Sequence, residues 1–190
     1  AAVTMQRLMG IAASIDTSPT RTLILANTLD VANAGVTSGA TPASTIAGNL
    51  DLGGANRSFS VADSFILNAA DDLVVSAVIN GTAGNALQKD GYGTLVLTSA
   101  NSYPGATTVN GNTLDFNASF TNGLNVLVGG TLILRDAGTT GTGAVNVNAG
   151  GSLVIDNIAS NTNCIPDTAT VSIAGGGLTL IANAPNPAGA

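Results

Sequence analysis

The sequence predicts an all-β fold, a right-handed, single-stranded parallel β-helix (a β-solenoid) with about 20 residues in each coil of the chain. Strong helix formers other than Ala and Leu are scarce, because the 190 residues include no Glu and only one Lys. Short apolar segments alternate with period two, as strands with one buried face do. A strand–glycine–strand motif also recurs at solenoid spacing. Together these observations predict short strands that wind into stacked coils.

The motif has four copies in the C-terminal part of the chain, Val109–Phe116, Val128–Leu134, Val147–Ile155 and Ile173–Leu180. They place the leucines Leu114, Leu132, Leu153 and Leu178 at separations of 18, 21 and 25 residues. One coil cannot bury its apolar face alone, so the copies are expected to stack in register. An antiparallel sandwich also has short strands and glycine-rich turns. The recurrence of one motif in the same phase favours the solenoid.

The regular repeat is expected over residues 46–183. Residues 1–45 fit the pattern less well and predict less regular N-terminal coils with a loop. Residues 184–190 contain two prolines and predict a linker or the boundary to a further module. No signal segment is evident at Ala1, and we expect the sequence to be a mature or trimmed piece of a longer secreted chain.

The composition argues against two classes of partner. Lys and Arg number five, do not cluster and leave a formal net charge of −6, so binding to nucleic-acid phosphates is not expected. The mean hydropathy of +0.39 is high, but no apolar run approaches the roughly 18–20 residues that a membrane-spanning helix needs. We therefore predict no nucleic-acid partner and no membrane insertion by this segment.

The residues that carry most enzyme chemistry are missing or scattered. The chain has no His, which excludes Ser-His-Asp and Cys-His nucleophiles and removes the commonest metal ligand. The adjacent pair Asp71 and Asp72 precedes a strand and predicts a solvated turn, whereas the lone Cys164 predicts a small apolar core residue. We expect no catalytic residue, no cofactor-binding residue and no enzymatic activity.

One loop offers a weak metal site. Asn161, Asn163 and Asp167 could supply oxygen ligands to calcium. The same side chains also suit a corner in which they form hydrogen bonds to the backbone, and this interpretation is favoured. No cofactor is therefore predicted, with calcium as the alternative.

Asparagines recur in the predicted strands. Asn110, Asn146 and Asn148 are candidates for an asparagine ladder, in which side-chain amides at equivalent positions of stacked coils bond one another.

The segment that begins at Gly91 has a more specific pattern, GYGTLVLTSANSYPGATTVNGNTL. It resembles the autotransporter-associated β-strand repeat, which occurs in passenger regions of bacterial autotransporters and in very large surface proteins. The residues that carry the resemblance include Gly91, Gly93, Thr94, Asn101, Tyr103 and Gly105. Flanking pieces extend the similarity over about residues 46–182. The resemblance implies a parallel β-helix, export and display at the bacterial cell surface, and no common catalytic site.

The leading hypothesis is a structural or adhesive segment of a large secreted bacterial surface protein or extracellular fibre, which acts as a stiff rod. Its expected partners are further copies of itself, end to end, and a host surface or a glycan. The alternative is a polysaccharide-binding or polysaccharide-processing β-helix. A cleft with three or more converging Asp, Arg or Lys side chains would favour that alternative.

Overall fold

The computed structural model describes residues 3–7, 13–17, 20–33, 42–64, 71–82, 84–117, 119, 123–126, 129–136, 138–158 and 163–181. These residues contain the strands β1 (Val3–Arg7), β2 (Ser14–Asp16), β3 (Leu23–Ile24), β4 (Leu29–Asn33), β5 (Ser44–Ala47), β6 (Asn49–Asp51), β7 (Arg57–Val61), β8 (Leu73–Val75), β9 (Val78–Asn80), β10 (Leu87–Asp90), β11 (Leu95–Leu97), β12 (Thr107–Val109), β13 (Asn112–Phe116), β14 (Leu124–Val126), β15 (Gly130–Arg135), β16 (Val145–Asn148), β17 (Ser152–Asp156), β18 (Val171–Ala174) and β19 (Gly177–Ile181). Within these ranges the chain forms no helix, and hence none that is long and apolar enough to span a membrane.

The strands form three open sheets. The first sheet has the order β1-β4-β7-β10-β12-β14-β16-β18, and the second has the order β2-β5-β8-β11-β13-β15-β17-β19. The third, smaller sheet contains β3, β6 and β9. All ladders between these strands are parallel, and the chain visits the sheets in turn. This is the arrangement of a parallel β-solenoid, in which each coil lies on the one before.

The predicted stacking of the anchor leucines is confirmed. Leu114 pairs with Leu132, Leu132 with Leu153 and Leu153 with Leu178 in the second sheet. The next inward-facing column of this sheet runs through all eight strands as Ile15, Ile46, Val75, Leu97, Phe116, Leu134, Ile155 and Leu180. In the central coils these side chains are fully buried. The core is therefore a continuous aliphatic stack along the axis.

The first sheet has a matching column with one exception. It consists of the register positions Val3, Leu29, Phe59, Lys89, Val109, Val126, Val147 and Ile173. Lys89 is the charged member of this column, and its side chain is completely buried. A charge at this position needs polar partners within the core.

The separation between stacked partners varies along the chain. Ile15 and Ile46 are 31 residues apart, whereas Leu114 and Leu132 are 18 apart. The three N-terminal coils each include a strand of the third sheet, which lengthens them. Strands before residue 46 belong to the same sheets as later ones. The predicted boundary between residues 1–45 and the regular repeat stays a prediction. The predicted linker, 184–190, lies outside the described residues.

Candidate functional site

The polar corner around Lys89 places a buried ammonium group among backbone carbonyl oxygens. The Nζ atom of Lys89 donates hydrogen bonds to the carbonyl oxygens of Asp90 (3.1 Å), Gly91 (2.9 Å) and Gly111 (3.0 Å). The Asp90 carbonyl ends β10 and the Gly91 carbonyl follows it, whereas the third carbonyl belongs to the corresponding corner of the next coil. The ammonium group therefore ties two successive corners together from inside the core.

The burial of Lys89 has an electrostatic consequence. Desolvation lowers the pKa of its ammonium group to about 8, although the nearby Asp90 and Asp72 carboxylates favour the charged form. Lys89 was not among the residues predicted from the sequence to be functional. The signal was present in the segment Leu87-Gln88-Lys89, because period-two alternation places Lys89 on the same buried face as Leu87.

Asp90 lies on the outer side of the same corner. Partial burial raises the pKa of its carboxyl group, but hydrogen bonds from Ser58, Gln88 and Asn110, together with Lys89, lower that pKa overall. The Nδ2 atom of Asn110 donates to Oδ1 of Asp90 at 3.0 Å. The contact of Asn110 with the preceding coil is thus an amide–carboxylate bond and not the amide–amide bond of the predicted ladder. Asn146 and Asn148 pair in register with Asn125 and Ala174, respectively.

The burial of Asp72 shows that the predicted solvated turn at Asp71 and Asp72 was wrong for Asp72. It is 1% exposed, so it does not lie in a solvated turn. Its Oδ1 atom accepts a hydrogen bond from the Ser64 N–H at 2.8 Å, and its Oδ2 atom accepts one from the Thr94 N–H at 2.7 Å. Thr94 belongs to the next coil, so the carboxylate joins coils as Lys89 does. The adjacent Asp71 keeps partial exposure.

The motif glycines permit close approach to the preceding coil. A Cβ atom at Gly93 would lie 2.6 Å from the carbonyl oxygen of Ala62 and 2.9 Å from an Asp72 carboxylate oxygen. A Cβ atom at Gly105 would lie 2.4 Å from the carbonyl oxygen of Asn85. Both positions therefore require glycine for steric reasons.

The motif's polar side chains are also directed inward. Oδ1 of Asn101 accepts a hydrogen bond from the Ile79 N–H at 3.0 Å, across to the preceding coil. The hydroxyl groups of Tyr103 and Thr107 are 2.5 Å apart and buried. Burial raises the pKa of Tyr103 above its ordinary value of 10.0, despite the hydrogen bond with Thr107.

Two of the arginines also connect coils. Nε and Nη2 of Arg57 donate to the carbonyl oxygen of Leu25 at 3.0 and 2.7 Å, and Nη2 also donates to Gly53 O at 3.2 Å. Arg135 forms an ion pair with the buried Asp115 of the preceding coil. These cations stabilise the stacking of coils at separate places and do not gather with Lys89 in one groove.

The predicted metal ligands do not form a described cluster. Asn163 and Asp167 are exposed, and Asn161 lies outside the described residues. Among the residues that the structure places, no group of three or more His, Cys, Asp or Glu side chains is arranged to hold a metal ion. Cys164 is 3% exposed, packs in the core as predicted and donates a weak hydrogen bond from Sγ to Oδ1 of Asn157 at 3.4 Å.

A shallow cleft on the outer face of the second sheet contains several charged groups. It has a volume of about 240 Å³ and is lined by Asp71, Val96, Asp115, Asn117, Arg135 and Asp136. The Asp115–Arg135 ion pair lies in its wall, so two of the four charged groups neutralise each other. The lining contains three Asp side chains and one Arg side chain, a grouping that would favour the polysaccharide-related alternative.

The segment that contains the polar corner matches a known family model. Residues 87–116 match the family model of the passenger-associated-transport-repeat. This segment is therefore similar to a passenger-associated-transport-repeat. The match begins with β10 and ends with β13, so it covers two stacked strand pairs, β10 with β12 and β11 with β13. Neither the curated proteins nor the solved structures gave a match to the chain.

Several residues of the matched segment form contacts between successive coils. Gly93, Thr94, Asn101 and Gly105 each contact the coil before them, and Lys89 contacts the coil after it. The polar and glycine positions of this repeat thus serve the stacking of coils. The resemblance predicted from the sequence is confirmed over this segment.

Proposed function

We propose that the chain is a structural or adhesive segment of a large secreted bacterial surface protein or extracellular fibre, that it acts as a stiff rod, and that it catalyses no reaction. The observation that carries this proposal is the pair of eight-stranded parallel sheets, whose ladders are continuous from the first described coil to the last. The match to the passenger-associated-transport-repeat supports a passenger role. Contacts distributed along a stack resist bending, because every coil is held by both of its neighbours.

The winding of the rod is part of the same proposal. We infer right-handed coils, with about 20 residues per coil where the chain alternates between the two large sheets. Parallel strands joined by a crossover connection are right-handed in roughly 98% of cases. The separations of the stacked leucines agree with the proposed coil length.

The stiffness of the rod can be measured by pulsed electron paramagnetic resonance between spin labels at its two ends. Ser14→Cys and Thr179→Cys, in a Cys164→Ala background, place labels on the first and last strands of the second sheet. Seven intervals of about 4.8 Å predict a separation of about 34 Å between the labelled backbones. A single narrow distance distribution near this value is expected.

A control pair reports on the label alone. Labels at Thr179 and Val154, which are direct neighbours in the ladder, lie too close for the pulsed method, and dipolar broadening of their continuous-wave spectrum should report one short, narrowly distributed distance. A broad end-to-end distribution beside a narrow control would rule out a stiff rod.

Polysaccharide binding is the second candidate function, and the cleft that contains Asp71, Asp115, Arg135 and Asp136 favours it. Affinity electrophoresis against a polysaccharide panel would test this candidate. Retardation that Asp136→Asn abolishes and Asp167→Asn preserves is expected if the cleft binds a glycan, since Asp167 lies outside the cleft. The release of reducing ends would indicate processing as well, whereas mobility unchanged by any polysaccharide would exclude this candidate.

A further inference from the structure

A polar groove lies on the outer face of the first sheet. It has a volume of about 370 Å³, and its polar lining consists of Thr28, Asn56, Arg57, Ser58, Gln88 and Thr108. We call it the first-sheet groove. Its volume falls within the roughly 300–1,000 Å³ of small-molecule pockets. The groove shares no lining residue with the charged cleft on the second sheet, so it is a separate site.

Three successive coils form the floor of the groove. Gln88 of β10 pairs in register with Ser58 of β7 on one side and with Thr108 of β12 on the other. The residue that follows each of them is buried in the core, so the period of two turns these three side chains outward. Adjacent strands lie about 4.8 Å apart. The floor therefore offers one polar side chain per coil, at a spacing comparable to the advance of one pyranose unit along an extended glycan.

Hydrogen bonds within the protein fix the orientation of two amide side chains of the groove. Oδ1 of Asn56 accepts a hydrogen bond from the Ala86 N–H at 3.0 Å. Nε2 of Gln88 donates to the two carboxylate oxygens of Asp90 at 2.9 and 3.0 Å. Among the described residues, neither Nδ2 of Asn56 nor Oε1 of Gln88 has a hydrogen-bond partner. The groove thus presents one donor and one acceptor whose positions are set before a ligand arrives.

Arg57 and two hydroxyl groups complete the set of polar groups. Nε and Nη2 of Arg57 are occupied by backbone carbonyls, whereas Nη1 forms only a long contact of 3.5 Å with the Asn56 carbonyl oxygen. The hydroxyl groups of Thr28 and Thr108 can each donate and accept a hydrogen bond. The groove therefore combines donors, an acceptor and groups that serve as both. Sugar hydroxyls have this dual character and need such a mixed set of partners.

We propose that the first-sheet groove binds a neutral oligosaccharide, with sugar hydroxyls bonded to Asn56, Gln88 and Thr108. This proposal rests on the adhesive role proposed above and gives that role a ligand class. An anionic sugar fits less well, because the Asp90 carboxylate lies beside the floor in contact with Ser58 and Gln88. The net charge of −6 acts in the same direction.

Nuclear magnetic resonance titration of the ¹⁵N-labelled chain tests the proposal. The probes are soluble neutral oligosaccharides (cellopentaose, mannopentaose and chitopentaose), with pentagalacturonate as the acidic comparison. Saturable shifts are expected for the side-chain amides of Asn56 and Gln88 and for the backbone amides of Ser58 and Thr108, with at least one neutral sugar. The Kd is expected to be on the order of 1 mM, because each hydrogen bond to the ligand replaces one to water.

Two substitutions should weaken the binding and leave the fold intact. Thr108→Val removes a hydroxyl group and keeps the shape of the side chain. Asn56→Asp keeps the acceptor for the Ala86 N–H and removes the Nδ2 donor. Each is expected to raise the Kd about fivefold, the equivalent of one hydrogen bond. Thr179→Val is the matched control, because Thr179 is exposed on the second sheet, and it should leave the Kd unchanged. Circular dichroism checks that each variant is folded.

Four results would overturn the proposal. The first is the absence of a saturable shift with every neutral sugar, and the second is saturation by pentagalacturonate alone. The third is a set of shifts centred on Asp136, which would assign the binding to the charged cleft. The fourth is a wild-type Kd in both Thr108→Val and Asn56→Asp. The rod is judged separately, because a narrow end-to-end distance distribution would preserve it even if no sugar binds.

Discussion

Asp72→Ala is expected to lower the free energy of unfolding by about 3–5 kcal/mol. The substitution removes the acceptor of two backbone N–H groups, the buried one of Ser64 and the partly buried one of Thr94. A buried donor without a partner costs about 1–3 kcal/mol, and bonds to a charged acceptor lie at the upper end. Loss of the carboxylate also removes a favourable charge near Lys89. Urea denaturation followed by circular dichroism measures the change.

Two variants make the Asp72 result specific. Asp71→Ala removes the adjacent, partly exposed carboxylate and should change the stability by less than about 0.5 kcal/mol. Asp72→Asn keeps one acceptor oxygen and should fall between the wild type and Asp72→Ala. Equal losses in Asp71→Ala and Asp72→Ala would contradict the assigned role, since net charge would then be the common cause.

The stability of the wild-type chain is expected to rise by about 2–3 kcal/mol between pH 8 and pH 10.5 because of Lys89. Burial lowers the pKa of this lysine from 10.5 to about 8. Between these values the unfolded chain binds a proton that the folded chain has released, so raising the pH favours the folded state. Denaturant midpoints measured in steps across this range, for the wild type and for Lys89→Met, test the prediction.

Tyr103 acts in the opposite direction at the upper end of the range. Its pKa is raised in the folded chain, so its contribution to stability is lost as the pH rises above about 10, where the unfolded tyrosine ionises. The pH profiles with and without Lys89→Met are therefore best compared in a Tyr103→Phe background, in which Tyr103 does not contribute. Lys89→Met in that background should lose the rise, and parallel pH profiles for the two chains would mean that the Lys89 ammonium group titrates normally.

The stacking of the core could be predicted from the sequence because its signal is periodic. Leucines at separations of 18, 21 and 25 residues, each in the same strand–glycine–strand context, have one simple common arrangement, a ladder. The glycine pattern from Gly91 onward adds a family resemblance that the match over residues 87–116 confirms. Side-chain identity and spacing were sufficient here because each coil repeats the environment of its neighbour.

The third sheet and the buried charges could not be predicted in the same way. β3 contains only Leu23 and Ile24, which is too short for any period to be recognised. The partners of Asp72 are backbone N–H groups, and these have no signature in the sequence. The contact between Arg57 and the Leu25 carbonyl spans 32 residues and depends on the length of the intervening coil, which varies along this chain.

We expect Lys89, the single lysine in an aliphatic column, to help set the register of the coils during folding. Coils that present only Val, Leu and Ile to each other are nearly interchangeable, so a nascent stack could align one turn too early or too late at little cost. In a shifted alignment the Lys89 ammonium group would lose the carbonyl oxygen of Gly111 in the next coil, whereas the neighbouring carbonyls of Asp90 and Gly91 would move with it. We expect the loss of this hydrogen bond to disfavour shifted registers of the coils relative to the native one.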